Sequence, residues 1–317
     1  IKGNIIIYSL KQDRVILKYN FYKKEFKKVK KKLSIIIENN IIYAVDNIGY
    51  FYALDYKNTK LVWATNNKVP FRSNLKILNN KILASDQNNV LHVIDKSSGN
   101  KIKQIPTEET TLKNDFKNSL ASNDNSTIYL NTYGSLYSFD NKNFKINWFR
   151  NLNKSLSLNP SNLFFSNPVI LYKNKIIIST DPHLYVLNSN SGATIFKSSI
   201  TSIINPIVSN DNLFLITKDN LLVCLNLNTG KIMYSVDIVN EIAEFLQTKN
   251  KSINIQSLSL LNNKLFVFLR NSYVVKFNVN GKIGEITKLP TKIITFPIFV
   301  NESIMFLNKK NKLTVLN

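Results

Sequence analysis

The chain has 317 residues, 44% of them hydrophobic and 11% aromatic, and a formal net charge of +22. That apolar content excludes the disordered class and supplies a sizeable core, and no apolar stretch approaches the length of a membrane-spanning helix. The excess charge is almost all Lys, with Arg14, Arg72, Arg150 and Arg270 the only arginines, so the bidentate forks favoured in nucleic-acid readout are scarce. Heavy joint use of Lys, Asn and Ile reads as the bias of an AT-rich genome, with attraction to polyanions or an anionic membrane as the competing reading. Cys224 is the single cysteine, which excludes an intramolecular disulfide and a thiolate metal cluster and suits cytosol or periplasm equally. The N-terminus lacks a signal-type segment, so any targeting peptide is expected to be removed or absent.

In chain order, residues 1–14 read as an N-terminal extension and residues 15–22 as a strand. A lysine run follows: Lys23, Lys24, Lys27, Lys28, Lys30, Lys31 and Lys32 fall within ten residues. It suits a solvated connection, or contact with anionic lipid headgroups. Four short β-rich runs come next, over residues 33–38, 41–46, 50–55 and 61–66, joined by hairpin-sized links with Asn and Gly at the turns. This is an antiparallel meander, and it recurs every 40 to 50 residues or so. Later third strands are expected at residues 90–95, 135–140, 183–188, 221–226, 272–278 and 312–317, which makes seven units. Gly99, Gly192, Gly230 and Gly281 mark the turns into fourth strands, and Pro168, Pro206 and Pro297 stand at strand entrances, where no ladder bond is lost.

Two stretches break the pattern. Residues 240–249 suit a short helix. The connection 151–167 holds Leu156, Leu158, Leu163, Phe164 and Phe165 after a completed strand, so these either mark an interaction site or fold back as a cap. A worn-down eighth unit has room only in 107–116 or 239–253. The last unit has three strands, and residues 15–22 would supply the fourth. Ring closure of this kind implies an all-β, single-domain β-propeller over 1–317, with seven four-stranded antiparallel blades closed by the N-terminal strand.

Five times along the chain an Asp or Asn closes a third strand, and eight residues later comes a residue that is aromatic in four of the five: Asp55 and Trp63, Asp95 and Lys103, Asp140 and Trp148, Asn188 and Phe196, Asn226 and Tyr234. Recurrence at fixed phase makes Trp63 and Trp148 packing elements between neighbouring blades rather than a cofactor platform. His92 holds the slot of Tyr52, Tyr137 and Tyr185, so an aromatic-like packing role is expected. His183 begins a third strand. Cys224 holds a small core slot, with no basic neighbour to activate it. No catalytic, metal-binding or cofactor-binding residue emerges.

The consensus of an apolar residue, Tyr, a small residue, an aliphatic residue and Asp or Asn, then Gly and an aromatic at four-residue steps, is clearest at Leu184 to Asn188 with Gly192 and Phe196. It resembles the PQQ-type propeller repeat and lacks the Gly-His and Trp-Asp signatures of WD40 repeats. Within that superfamily the chain is similar to the BamB-like lipoproteins of the outer-membrane β-barrel assembly machinery, a family that usually has eight blades. The resemblance implies a non-enzymatic scaffold without cofactors at the periplasmic face of the outer membrane, held by a lipid on a cysteine preceding Ile1. Its partners would be the BamA-like barrel-forming component and unfolded outer-membrane proteins, not nucleic acid, and outside that complex it would be a monomer. Leu156, Leu158, Leu163 and Phe164 are the candidate partner-binding residues. Two alternatives stay open: a quinoprotein-like dehydrogenase binding PQQ in the central channel, although the calcium site and adjacent cysteines of those enzymes are missing, and a cationic propeller binding acidic polymers.

Overall fold

The computed structural model describes residues 3–22, 26, 28–110, 116–153, 163–249, 252–300 and 303–316. The N-terminal hairpin joins β1 (Asn4–Ser9) to β2 (Arg14–Asn20). The stretch read as an extension is therefore a strand, because Ile5 and Ile7 have apolar partners to meet. They pack with Leu17 and Tyr19 and with Ile42 and Leu54 of the first blade. The strand expected over 15–22 as the fourth of the last blade is present as β2, but among the described residues it pairs with β1 in a two-stranded sheet, while the last sheet has three strands.

Blade one consists of β3 (Leu33–Glu38), β4 (Ile41–Asp46), β5 (Tyr50–Asp55) and β6 (Lys60–Asn66). Blade two has β7 (Lys76–Leu78), β8 (Lys81–Ser85), β9 (Leu91–Asp95) and β10 (Lys101–Ile105). Blade three has β11 (Ser119–Ser122), β12 (Ser126–Leu130), β13 (Ser135–Asp140) and β14 (Ile146–Asn151). Blade four has β15 (Ile170–Tyr172), β16 (Lys175–Ser179), β17 (Leu184–Asn188) and β18 (Thr194–Ser198). Blade five has β19 (Ile207–Ser209), β20 (Asn212–Ile216), β21 (Leu221–Asn226) and β22 (Ile232–Asp237), and helix α1 (Ile238–Phe245) follows it. Blade six has β23 (Ile255–Leu261), β24 (Lys264–Leu269), β25 (Tyr273–Asn278) and β26 (Ile283–Lys288). Blade seven has β27 (Ile298–Val300), β28 (Ser303–Leu307) and β29 (Leu313–Leu316). Every blade is an antiparallel meander in chain order, the first six with four strands and the seventh with three among the described residues. This is the all-β, seven-blade propeller class with almost no helix. The stretch 239–253, where an eighth unit had room, holds α1 instead.

Burial explains the composition of each strand. In blade one Ile42, Tyr43, Ala44 and Val45 of β4, and Phe51, Tyr52, Ala53 and Leu54 of β5, are buried in succession. Strands covered on both faces need unbroken apolar runs, while the outermost strand alternates because one face meets water. In β6, accordingly, Leu61, Val62 and Ala64 are exposed and Trp63 and Thr65 half-buried. A bulge recurs between third and fourth strands: Ala53 pairs with Trp63 and Leu54 with Leu61, so Val62 is the extra residue. Asn147, Ile195 and Met233 are skipped at the same point of blades three, four and five. The bulge resets which residues of the fourth strand face the next blade.

Contacts divide the chain into two compact units, Ile1–Phe165 with Asn190–Gly192, and Ser166–Ser189 with Ala193–Asn317. In the second unit, blades five and six share a core containing Phe214, Leu222, Cys224, Leu265 and Val275. In the first, blades one and two share Val45, Phe51, Phe71 and Ile82.

Candidate functional site

In blades one, two, three, five and seven the turn from second to third strand is built on one polar side chain: Asp46, Asp86, Asn131, Thr217 and Asn308. In blade one Asp46 Oδ1 accepts from the backbone N–H of Ile48, Gly49 and Tyr50 at 2.8 to 2.9 Å. Its Oδ2 accepts from the hydroxyls of Tyr22 at 2.9 Å and Tyr52 at 3.3 Å. In blade two Asp86 repeats this, taking the N–H of Asn88 and Val90 on Oδ1 and His92 Nε2 on Oδ2 at 2.7 Å. Asn67 also donates to Asp86, and the Gln104 amide faces His92 Nδ1 at 3.2 Å. His92 is thus buried inside a turn-forming network, with both ring nitrogens engaged and its ring against Phe71. Burial of polar groups demands such complete hydrogen bonding.

Blade three adds a clasp that the sequence did not announce. Glu108, from the connection between β10 and β11, accepts from Asn131 Nδ2 and Ser135 Oγ at 2.6 Å and from Tyr137 Oη at 2.8 Å. Burial first, then the Glu108 carboxylate, pushes the Tyr137 phenol above its ordinary pKa. Thr132 Oγ1 donates to Asn89 Oδ1, and Asn89 Nδ2 donates to the Glu108 carbonyl, so the turns of blades two and three are tied together.

The connection after β14 docks onto this platform. Leu152 is buried and its N–H donates to the Gly134 carbonyl, and the Phe164 N–H donates to the Thr132 carbonyl at 2.9 Å. The Phe164 ring lies so close over Gly134 that a Cβ there would stand 2.7 Å from it. Phe164, expected to contact a partner, is therefore engaged within the blade, and Leu163 is half-buried beside it. Leu156 and Leu158 lie outside the described residues. Phe165 is the side chain that faces water, at 70% exposure, with its ring edge-on to Phe116 at 4.5 Å. The signal for Phe165 was the double Phe: one ring suffices to cover Gly134, which leaves the second without a place. Next to Phe116, Lys117 borders a small cavity of about 50 Å³ together with Lys32 and Arg72. The surface thus carries an aromatic pair, with Lys117 next in sequence to Phe116.

The remaining candidates have packing roles. Trp63 lies against Gly99 and donates from Nε1 to the Lys96 carbonyl at 3.1 Å, and Trp148 lies against Gly192. Burial pushes the Cys224 thiol up to about 11, which keeps it protonated and unreactive. His183 stands edge-on to Tyr185. Of the lysine run, Lys31 is buried, with Nζ donating to the Phe26 carbonyl, while Lys28, Lys30 and Lys32 are exposed.

Residues 2–236 match the family model described as outer membrane protein assembly factor BamB. The chain belongs to the BamB family. Among solved structures, BamB from Moraxella catarrhalis superimposes with a TM-score of 0.74 at 14% identity, covering 99% of this chain and 94% of that one. The computationally designed Ika8 protein gives 0.71 at 11% identity over 99% and 90% of the two chains. The C-terminal WD40 domain of Sif2 gives 0.66 at 11% identity over 98% and 88%. At these identities the likeness speaks for the fold, and the BamB assignment rests on the family model. No curated protein matches the chain.

Proposed function

We propose that this chain is a non-enzymatic scaffold of outer-membrane protein assembly, held at the periplasmic face of the outer membrane by an N-terminal lipid and binding the barrel-forming, BamA-like component. Family membership supports the setting. The observation that carries the binding role is the exposed Phe165 edge-on to Phe116, on a platform braced by Glu108. Exposed aromatics on a rigid base are what protein interfaces use as anchors. Leu156, Leu158 and Leu163 of the same connection would extend the apolar contact, with Lys117 at its edge meeting acidic groups of the partner.

The test is capture of the barrel-forming component from detergent-solubilised outer membranes by the immobilised chain. Phe165→Glu is expected to lower recovery at least tenfold with an unchanged melting temperature. Recovery of no assembly component by the wild-type chain, or a precursor without a lipidation cysteine upstream of Ile1, would overturn the reading.

A further inference from the structure

Helix α1 is the one departure from strand-turn-strand regularity among the described residues of the second unit, and it leaves space beneath it. Asp237 caps its N-terminus through the N–H of Val239 and Asn240, and Ile238 and Ala243 anchor it in the core. Between the helix and blade six lies a cavity of about 300 Å³. Ile242, Ala243 and Leu246 of the helix face it from one side, and Leu269, Val275 and Ile286 from the sheet. Protein interiors rarely keep voids larger than a water molecule, and apolar clefts from about 300 Å³ upward are the size that holds small ligands.

The polarity of the lining is segregated. Thr248, Lys249 and Ser252 contribute from the segment after the helix, with Asn271 from the turn between β24 and β25. Lys249 is the one charged residue of the lining among the described residues, and exposed Arg270 sits in the chain between lining residues Leu269 and Asn271. Glu241 and Glu244 do not line the cavity. The carbonyls of Ile242, Ala243 and Glu244 already accept from the N–H of Leu246, Thr248 and Gln247, which blunts the negative end of the helix. The cavity therefore combines an apolar body with a cationic mouth. Its size suits a single chain of carbons.

We propose that this cavity binds a single-chain anionic amphiphile of the medium-chain fatty-acid class, with the hydrocarbon between α1 and blade six and the carboxylate at Lys249. The inference does not depend on the scaffold role. Titration calorimetry of the purified chain with dodecanoate, kept below its micelle concentration, tests it. Saturable one-to-one binding is expected, at least tenfold tighter than for butyrate and for dodecyltrimethylammonium. Ala243→Phe fills the cavity from the helix side and Ile286→Trp from the sheet side; each should abolish binding, and the second serves if the first loosens the helix. Lys249→Glu should weaken dodecanoate at least tenfold. Absence of saturable dodecanoate binding, binding that survives both filling variants in folded protein, or equal affinity for the trimethylammonium analogue would each overturn the proposal.

Discussion

The indole of Trp63, in the fourth strand of blade one, lies flat on the backbone of Gly99, in the third-to-fourth-strand turn of blade two, so closely that a Cβ on Gly99 would stand 2.6 Å from the ring. Gly99 also has φ +75, where a side chain is strained. The contact recurs with Trp148 on Gly192, Phe196 on Gly230 and Tyr234 on Gly281. The fourth strands of blades one, three, four and five are thereby stapled to the turn that follows in the next repeat.

Gly99→Ala is expected to destabilise by about 1–3 kcal/mol, from backbone strain and the clash together. Trp63→Ala should cost about 2–3 kcal/mol, less than a fully buried ring because Trp63 is half-exposed. With the ring gone, the methyl that Gly99→Ala introduces has room, so the double variant should fall short of the sum by about 1 kcal/mol or more. Urea melts of the four proteins measure this coupling, and strict additivity would show that the two residues do not act as a pair.

The His92 slot yields a sharper expectation. Tyr52 reaches Asp46 Oδ2 from the corresponding position of blade one, six residues after its Asp, as His92 reaches Asp86. His92→Tyr should therefore be nearly neutral, while His92→Phe strips a partner from a buried carboxylate at a cost of about 1–3 kcal/mol. Asp86→Ala, which orphans the N–H of Asn88 and Val90 as well as His92, should cost about 3 kcal/mol or more. Thermal melts rank the three, and a His92→Phe protein as stable as His92→Tyr would mean that packing alone holds the position.

The Asp residues that close third strands predict an acid limb. Asp95 is held at about 2 by the Ser97 hydroxyl first and then by Ser98, and the Asn58 and Asn143 N–H groups lower Asp55 and Asp140. A carboxyl whose folded pKa lies below its unfolded value of about 3.9 adds stability above that value and loses it as pH falls through the folded one. Stability should thus decline from about pH 4 to about pH 2. Asn226 accepts the same turn N–H bonds from Asn228 and Thr229, so Asp95→Asn should keep the turn and flatten part of this limb. Melting temperatures from pH 5 to pH 2 decide it, since an unaltered slope in Asp95→Asn would exclude the linkage.

Most of the architecture was legible because the repeat writes it several times over. The strands at Leu33–Glu38, Ile41–Asp46, Tyr50–Asp55 and Ser135–Asp140 fall where alternation and turn residues place them. The eight-residue spacing had a content that sequence reading missed: it spans a turn capped by the Asp side chain plus the bulge at Val62, and together these aim Trp63 at the next repeat. A bulge has no residue signature of its own, since Val62, Asn147, Ile195 and Met233 share nothing but exposure. Glu108 was equally silent, because its three donors come from residues 23 to 29 positions away. At the candidate site the apolar connection was visible, but which Phe stays exposed depends on Gly134, whose bare backbone accepts Phe164 and leaves Phe165 outside.

The exception in blade two tests the stapling directly. Blade two carries Lys103 where its neighbours have an aromatic, and blade three carries Phe144 where its neighbours have Gly. Phe144 adopts φ 56, is buried, and joins the cluster of Leu83, Val93 and Phe139. Lys103 Nζ donates to the Asn143 carbonyl at 3.0 Å, and Lys81 Nζ stands 5.0 Å over the Phe144 ring. The aromatic has in effect moved from the strand of one blade to the turn of the next, filling the same gap from the other side. Phe144→Gly alone should cost about 2–4 kcal/mol, since the cavity outweighs the relieved strain. Lys103→Trp alone should also destabilise, because the Phe144 ring occupies the space that the indole needs. Combined, the two changes recreate the Trp63 and Gly99 arrangement and should recover at least half of the Phe144→Gly loss. Chemical denaturation of both single variants and the double measures that recovery; a double variant no more stable than Phe144→Gly would mean that the two positions are not exchangeable halves of one contact.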